Sequence, residues 1–193
     1  MPTDAGDLFK YFESFISFIC NHRIICFRCD LIVDGFCGVG GNAIQFAFTC
    51  QRVIAIDIDP DKIEQARHNA AVYGVQDRIE FIVGDFFKVL PTLKADVVFL
   101  SPPWGGPEYL GQEVFDLKEC GGCVDGYTVF QTAKLVTDNI AYFLPRHTNV
   151  SQISSLADRG ETVEVEQNIL TRKFKTLTAY YGELVNYYDD YQM

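Results

Sequence analysis

Basic residues are scarce in this chain. Lysine and arginine number 16 against 26 aspartates and glutamates, and the formal net charge is −10. A broad basic face that grips a long duplex is therefore excluded. A nucleotide end held in one local pocket is not. No apolar run reaches the ~18 residues of a membrane-spanning helix. The most apolar early stretch, Phe15 to Phe27, is broken by Asn21, His22 and Arg23. Asp4 and Asp7 stand where a signal peptide would carry basic residues, so no leader is expected. Internal repeats, low-complexity tracts and linkers are all missing. Histidine is sparse as well: His22, His68 and His147 show no pairing that suggests a proton relay.

Cysteine is present but cannot close on itself. Seven is an odd number, and Cys37 and Cys50 fall in core-like positions. Free thiols in a reducing compartment follow. Two Cys-x-x-Cys pairs, Cys26/Cys29 and Cys120/Cys123, match a four-thiolate zinc site in number. About ninety residues separate them, whereas a zinc ribbon spaces its pairs by about 15–20. Buried thiols in the first pair and an exposed glycine-rich loop at 119–126 are expected instead, with no metal.

What remains is the composition of one folded domain. The 193 residues are 48% apolar and 14% aromatic. Disorder is excluded, and roughly 70% of the unfolded surface can be buried. The first thirty residues stand apart: Leu8, Phe12, Phe15, Ile16 and Ile19 recur at helical spacing, with Asp4 a candidate N-cap. From Leu31 the rhythm is strand, turn, helix. Strands are predicted at Leu31–Phe36, Arg52–Asp57, Arg78–Val83 and Ala95–Leu100. Helices are predicted at Asn42–Thr49, Pro60–Tyr73, Tyr127–Asn139 and Val150–Leu156. Ile140–Leu144 is a fifth strand, and Thr162–Leu170 with Phe174–Tyr181 makes a hairpin. Buried strands alternating with helices give a parallel sheet covered on both faces. The hairpin closes it at seven strands with one antiparallel.

Asp34-Gly35-Phe36-Cys37-Gly38-Val39-Gly40-Gly41-Asn42 ends one strand and opens a helix. Glycines there let backbone approach a ligand. Gly38, Gly40 and Ala43 satisfy the dinucleotide fingerprint, with Asp57 about twenty residues on. That pattern alone fits NAD and S-adenosylmethionine equally. Three features tilt it toward S-adenosylmethionine. Asp34 lies in the strand itself, where a carboxylate can hold an ammonium that NAD lacks. Asp57 closes the second strand, placed for ribose hydroxyls. Gly84-Asp85-Phe86 closes the third, with Asp85 placed for an adenine amine and Phe86 for the ring face.

The fourth strand runs into Ser101-Pro102-Pro103-Trp104-Gly105-Gly106-Pro107. Two prolines fix this turn and remove its backbone donors, leaving carbonyl acceptors. Ser101 and Pro102 oxygens can accept the hydrogens of an amine. Trp104, the only tryptophan, can stack on a flat base. A cationic base adds a cation–π term of roughly 0.5–2 kcal/mol. No strong general base is needed when a held amine meets a sulfonium methyl.

Together these runs resemble the trimethylguanosine synthase family of RNA cap guanosine-N2 methyltransferases. Val53–Pro60, Phe143-Leu144-Pro145-Arg146, Glu164–Asn168 and Thr178-Ala179-Tyr180 belong to the same resemblance, which spans about residues 31–185. It implies a class I S-adenosylmethionine-dependent methyltransferase fold, Rossmann-like and α/β. It implies that the exocyclic N2 amine of the 7-methylguanosine cap on small nuclear and nucleolar RNAs is methylated, giving 2,2,7-trimethylguanosine. The implied cofactor residues are Asp34, Phe36, Gly38, Gly40, Asn42, Asp57, Asp85 and Phe86. Ser101, Pro102 and Trp104 are the implied catalytic residues. Asn69 resembles an asparagine lining the cap pocket, and Arg146 one that meets cap phosphates. Capped small RNA and small ribonucleoprotein proteins are the implied partners. The implied address is the nucleus, including nucleolus and Cajal body, and also the cytoplasm.

The family carries a helical lobe with aromatic and basic residues ahead of the first strand, and residues 1–30 do not match it. Residues 1–30 are thus expected to be an atypical helical segment, 31–185 the methyltransferase domain and 186–193 a tail. Two other readings stay open. One is a non-catalytic or truncated copy that binds S-adenosylmethionine. The other is an amine methyltransferase acting on another base or a glutamine side chain, although such enzymes usually open the proline turn with Asn or Asp. The basic cluster Arg172, Lys173 and Lys175 is by default a solvated turn, with steering of RNA phosphates as the functional alternative.

Overall fold

The computed structural model describes residues 29–105, 113–118 and 124–185. The expected helix over Leu8–Ile19, its Asp4 cap, Cys26, Cys120, Cys123 and the tail from 186 lie outside them.

Seven strands form one sheet in the order β3-β2-β1-β4-β5-β7-β6. They are β1 (Leu31–Asp34), β2 (Arg52–Asp57), β3 (Ile79–Val83), β4 (Val97–Leu100), β5 (Ile140–Pro145), β6 (Glu164–Leu170) and β7 (Lys173–Tyr180). The first five pair parallel, and β7 runs antiparallel between β5 and β6. This is the sheet the sequence pattern predicts. The helices are α1 (Gly41–Ala47), α2 (Pro60–Val72), α3 (Phe86–Val89), α4 (Gly126–Lys134) and α5 (Val150–Leu156).

Successive strand residues feed opposite cores, because side chains alternate across a strand. Ile32, Val53, Ala55, Val97 and Phe99 pack with Ile44, Phe46, Ile63 and Ala66 of α1 and α2. Val33, Ile56, Val98 and Leu100 pack with Phe86, Leu90, Val129, Phe130 and Ile153 on the other face. Each such side chain, fully buried, contributes roughly 1.5–3 kcal/mol. Burial on both faces is why these strands read as apolar runs.

The helix ends follow their capping residues. Asp59 accepts from the Asp61 amide at 2.9 Å and Pro60 takes the first helical position. Gly74 at φ 69 ends α2, and the Val75 amide returns to the Ala70 carbonyl at 3.0 Å. Most predicted boundaries shift by a residue or two, and one moves further. The helix expected to reach Asn139 stops at Lys134. Thr137 Oγ1 and Asn139 Nδ2 instead hold the Asp96 carbonyl, at 3.0 and 3.1 Å, and steer the chain into β5. Such side-chain bonds compete with continued helix.

Candidate active site

The strand order reverses between β1 and β4, the switch point at which open α/β sheets bind ligands. Asp34 pairs with Phe99, and the Gly35 amide continues the ladder to the Phe99 carbonyl at 3.0 Å. The glycine turn after β1 and the Ser-Pro-Pro-Trp turn after β4 therefore leave neighbouring strands, about 4.8 Å apart. Sequence separation hides this adjacency; the register creates it.

On the β1 side, Asp34 is fully buried. Its Oδ1 accepts a long 3.4 Å bond from the Phe36 amide, and its Oδ2 has no hydrogen-bond partner among the described residues. Burial, with the charge of Asp57 adding to it and against the weaker pull of the Phe36 and Ala43 amides, pushes the carboxyl up to about 7. Asn42 Oδ1, at the start of α1, is also buried without a partner. Two unpaired acceptors at one turn fit a ligand that brings donors or positive charge. Gly38 at φ 53 has nothing within 4 Å of where a Cβ would stand, so backbone faces open space there. Gly40 at φ 91 instead has Ala66 3.1 Å from a would-be Cβ, which is how α2 comes so close to the turn.

Asp57 holds the glycine turn. Its Oδ2 accepts from the Gly38 amide at 2.9 Å and its Oδ1 from the Asp59 amide at 3.0 Å. Each oxygen keeps a lone pair for a ligand hydroxyl. Asp85 caps α3 through the Phe87 amide at 3.0 Å, and Lys88 lies 3.7 Å from its other oxygen. Phe86 is buried. It stacks on Phe36 at 4.5 Å and fills the space beside Gly35, where a Cβ would meet its ring at 2.7 Å. It supports the turn from beneath. The exposed apolar side chains at these strand ends are Val39, Ile58 and Val83, which the sequence reading did not single out. The available signal was an isoleucine directly after the strand-ending Asp57.

On the β4 side, Pro102 is buried and Ser101 half-buried. Trp104 is half-buried, packing edge-on to Phe115 at 5.3 Å and tilted against Tyr142 at 5.8 Å. Phe115 is pinned to the loop after β5: its amide donates to the His147 carbonyl at 2.9 Å, and its carbonyl accepts from the Asn149 amide at 3.1 Å. The indole thus sits on a fixed aromatic floor. Gly106 and Pro107, which continue this turn, are outside the described residues. Arg146 follows β5 at the same sheet edge and is exposed. Asn69, in α2, is brought to the glycine turn, where its Nδ2 donates to the Val39 carbonyl at 2.9 Å.

Cys37 lies under the turn, its thiol pushed up by burial and by Asp34 and Asp57. Among the described residues no group of three or more His, Cys, Asp or Glu could hold a metal ion. No described helix is long and apolar enough to cross a membrane.

The model of RNA cap guanine-N2 methyltransferases matches residues 29–184. The chain belongs to this family. It is 41% identical over 132 residues to the trimethylguanosine synthase of Schizosaccharomyces pombe, covering 65% of this chain and 54% of that protein. It is 36% identical over 166 residues to that of Saccharomyces cerevisiae, covering 78% of this chain and 52% of that protein. The family member thus spans about half the length of these relatives. Among solved structures it is similar to a methyltransferase from Geobacter sulfurreducens, with TM-score 0.56, 19% identity and coverage of 88% and 78% of the two chains. Cofactor-bound Rv0187 from MTB is similar at TM-score 0.57, 17% identity and coverage of 94% and 81%. The sheet and these likenesses establish the class I methyltransferase fold for this family member.

Proposed function

We propose that this chain is the catalytic domain of an S-adenosylmethionine-dependent enzyme that methylates the N2 amine of 7-methylguanosine caps. Its substrates are capped small nuclear and nucleolar RNAs, and its product is the 2,2,7-trimethyl cap. The family membership supports this reading. The observation that carries it is the register pairing Asp34 with Phe99, which puts the buried Asp34 carboxyl, with its unpartnered Oδ2, beside the Ser-Pro-Pro-Trp turn.

When bound, S-adenosylmethionine supplies an electrophilic methyl on a sulfonium. The chain's residues do the rest. Asp34 meets the ligand's ammonium and Asn42 Oδ1 accepts from its donors. Asp57 accepts from ribose hydroxyls while keeping Gly38 in place. Ile58 and Val83 cover the adenine faces, and Asp85 accepts from its amine. Across the crevice, Trp104 on its Phe115–Tyr142 floor stacks with the cationic base. Ser101 Oγ and the Pro102 carbonyl accept the two amine hydrogens, turning the nitrogen lone pair toward the methyl. That lone pair would receive the cofactor's methyl, the sulfonium leaving as the neutral thioether, and the surplus amine proton would pass to water. Orientation of this kind supplies much of the rate without a strong base. Arg146, exposed just after β5, would meet the cap phosphates. The reading implies a nuclear enzyme working among small ribonucleoproteins.

The test is transfer of labelled methyl from S-adenosylmethionine to a 7-methylguanosine cap dinucleotide, with the unmethylated cap as control. Transfer to the first alone is the expected result. Retained S-adenosylmethionine binding with transfer to neither would replace the enzyme by a binding module.

A further inference from the structure

The tip of the β6–β7 hairpin carries Thr171, Arg172, Lys173 and Lys175, all exposed. From Gln167 to Gly182 the sequence contains no acidic residue, in a chain whose net charge is −10. Among the described residues Arg172, Lys173 and Lys175 form no ion pair. No ion pair among the described residues gives this cluster a part in holding the fold.

Its place is set by the strand directions. β7 is antiparallel to β5, with Thr176 opposite Pro145. The residues before Thr176 therefore project past the end of β5, on the edge that carries Asp34, Ser101 and Arg146. Two strand spacings from β4 put the tip about 10 Å to the side. The three residues beyond Thr176 put it about 10 Å above the sheet edge. Along this edge Asp57, Asp59 and Asp85 lie at the β1–β3 end, and Arg146 with the hairpin cations at the β5–β6 end, where Asp116 beside Phe115 is also found.

The hairpin is shaped as well as charged. The register shifts so that Asn168 faces Thr176 and Ile169 faces Phe174, leaving Lys175 as the extra residue of a bulge. A bulge bends the strand and re-aims the side chain it carries. The turn itself places Thr171 at φ 48 and Arg172 at φ 61. Two left-handed residues in a two-residue hairpin normally call for Asn-Gly. A β-branched threonine there is strained, and such strain tends to mark functional sites.

We propose that this hairpin tip is a phosphate-docking arm that holds the RNA chain beyond the cap. The inference rests on the cap-methylating function proposed above. It adds a second contact for the substrate, outside the residues that hold cap or cofactor. An acidic surface repels RNA at a distance, so a local cationic arm beside the pocket offsets that repulsion where the chain must pass.

The experiment compares the triple variant Arg172→Gln, Lys173→Gln, Lys175→Gln with the wild-type chain on two substrates, the cap dinucleotide and a capped RNA oligonucleotide. These side chains are exposed, so an unchanged melting temperature serves as the folding control. The arm predicts a KM for capped RNA raised roughly tenfold at low salt, with the dinucleotide unaffected. It also predicts that the slope of log kcat/KM against log salt for the capped RNA flattens by about 2, from ~0.7 per single-strand phosphate contact. Equal losses on both substrates, or none on the RNA, would overturn it, and the second result would reassign the tip to an acidic protein partner. Fluorescence anisotropy of the same RNA keeps the two readings apart. If neither protein transfers methyl, weaker RNA binding by the variant still supports the arm, and unchanged binding refutes it.

Discussion

Asp34 should make this protein less stable as pH rises, and Asp34→Asn should remove that dependence. Asp34 has an ordinary value near 3.8 when unfolded and about 7 in the fold, chiefly from burial. Between those values the folded state holds a proton that the unfolded state has released. Stability therefore falls as pH climbs through this window and levels off above about 7. The gap of about three units corresponds to roughly 4 kcal/mol, of which about 3 kcal/mol develops between about pH 5 and about pH 8. An amide in place of the carboxyl leaves a buried donor to satisfy, at a cost of about 1–3 kcal/mol. That cost is the same at every pH and cancels in the comparison. Urea denaturation of both proteins at the two pH values reads the difference directly. The wild-type chain should lose about 2–3 kcal/mol more than Asp34→Asn on going from about pH 5 to about pH 8. Equal pH dependence in the two would refute the reasoning. The same proton should leave when S-adenosylmethionine binds near pH 6, since the ammonium takes over the carboxylate. Calorimetry in buffers of different ionisation enthalpy measures that release.

Trp104→Ala should abolish cap binding while leaving S-adenosylmethionine binding mostly intact, with roughly 1–3 kcal/mol of stability lost from the Phe115 and Tyr142 contacts. Equilibrium binding of each ligand separates these effects. Asp57→Ala should do the reverse, losing cofactor affinity and loosening the Gly38 amide. Gly40→Ala should destabilise by about 2–3 kcal/mol, because a positive φ and a 3.1 Å contact with Ala66 act together. Gly38→Ala meets open space, so its stability cost should be only about 1 kcal/mol while cofactor binding fails. Thermal melts with and without ligand distinguish the two glycines. Cys29 and Cys50 are buried and share a hydrogen bond that leaves Cys50 the more acidic thiol. Neither should react with iodoacetamide until the fold opens, as mass spectrometry of the labelled protein would record.

The strands were legible because both their faces are buried, which leaves continuous apolar runs between turn residues. Asp34, the glycines and Asp57 were legible because backbone approach and strand-end acids leave marks in the sequence. The four-residue α3 was not, since Phe86–Val89 is too short to show a period. The support Phe86 gives to Gly35 and Phe36 was hidden for another reason: a buried ring and a ligand-facing ring look alike in sequence. Asn69 reaches Val39 across thirty positions, a contact no local pattern encodes. The bulge did leave a trace. Phe174, Leu177 and Ala179 pack on one face, and the spacing of three breaks the alternation of a regular strand.

The β1–β4 seam has a consequence in time. Asp30 meets Gln51 across a separation of 21 residues, whereas Leu31 meets the Asp96 carboxylate across 65. Loop-closure entropy disfavours the longer connection, and non-local pairings form late in folding. β1 and β2 can therefore join well before β4 arrives. The ligand crevice does not exist until that arrival, so a nascent chain holds a finished glycine turn with nothing yet to place a methyl acceptor beside it. Pulsed hydrogen exchange should find the Gly35 amide, bonded to Phe99, protected later than the Cys37 amide, bonded to Ile56.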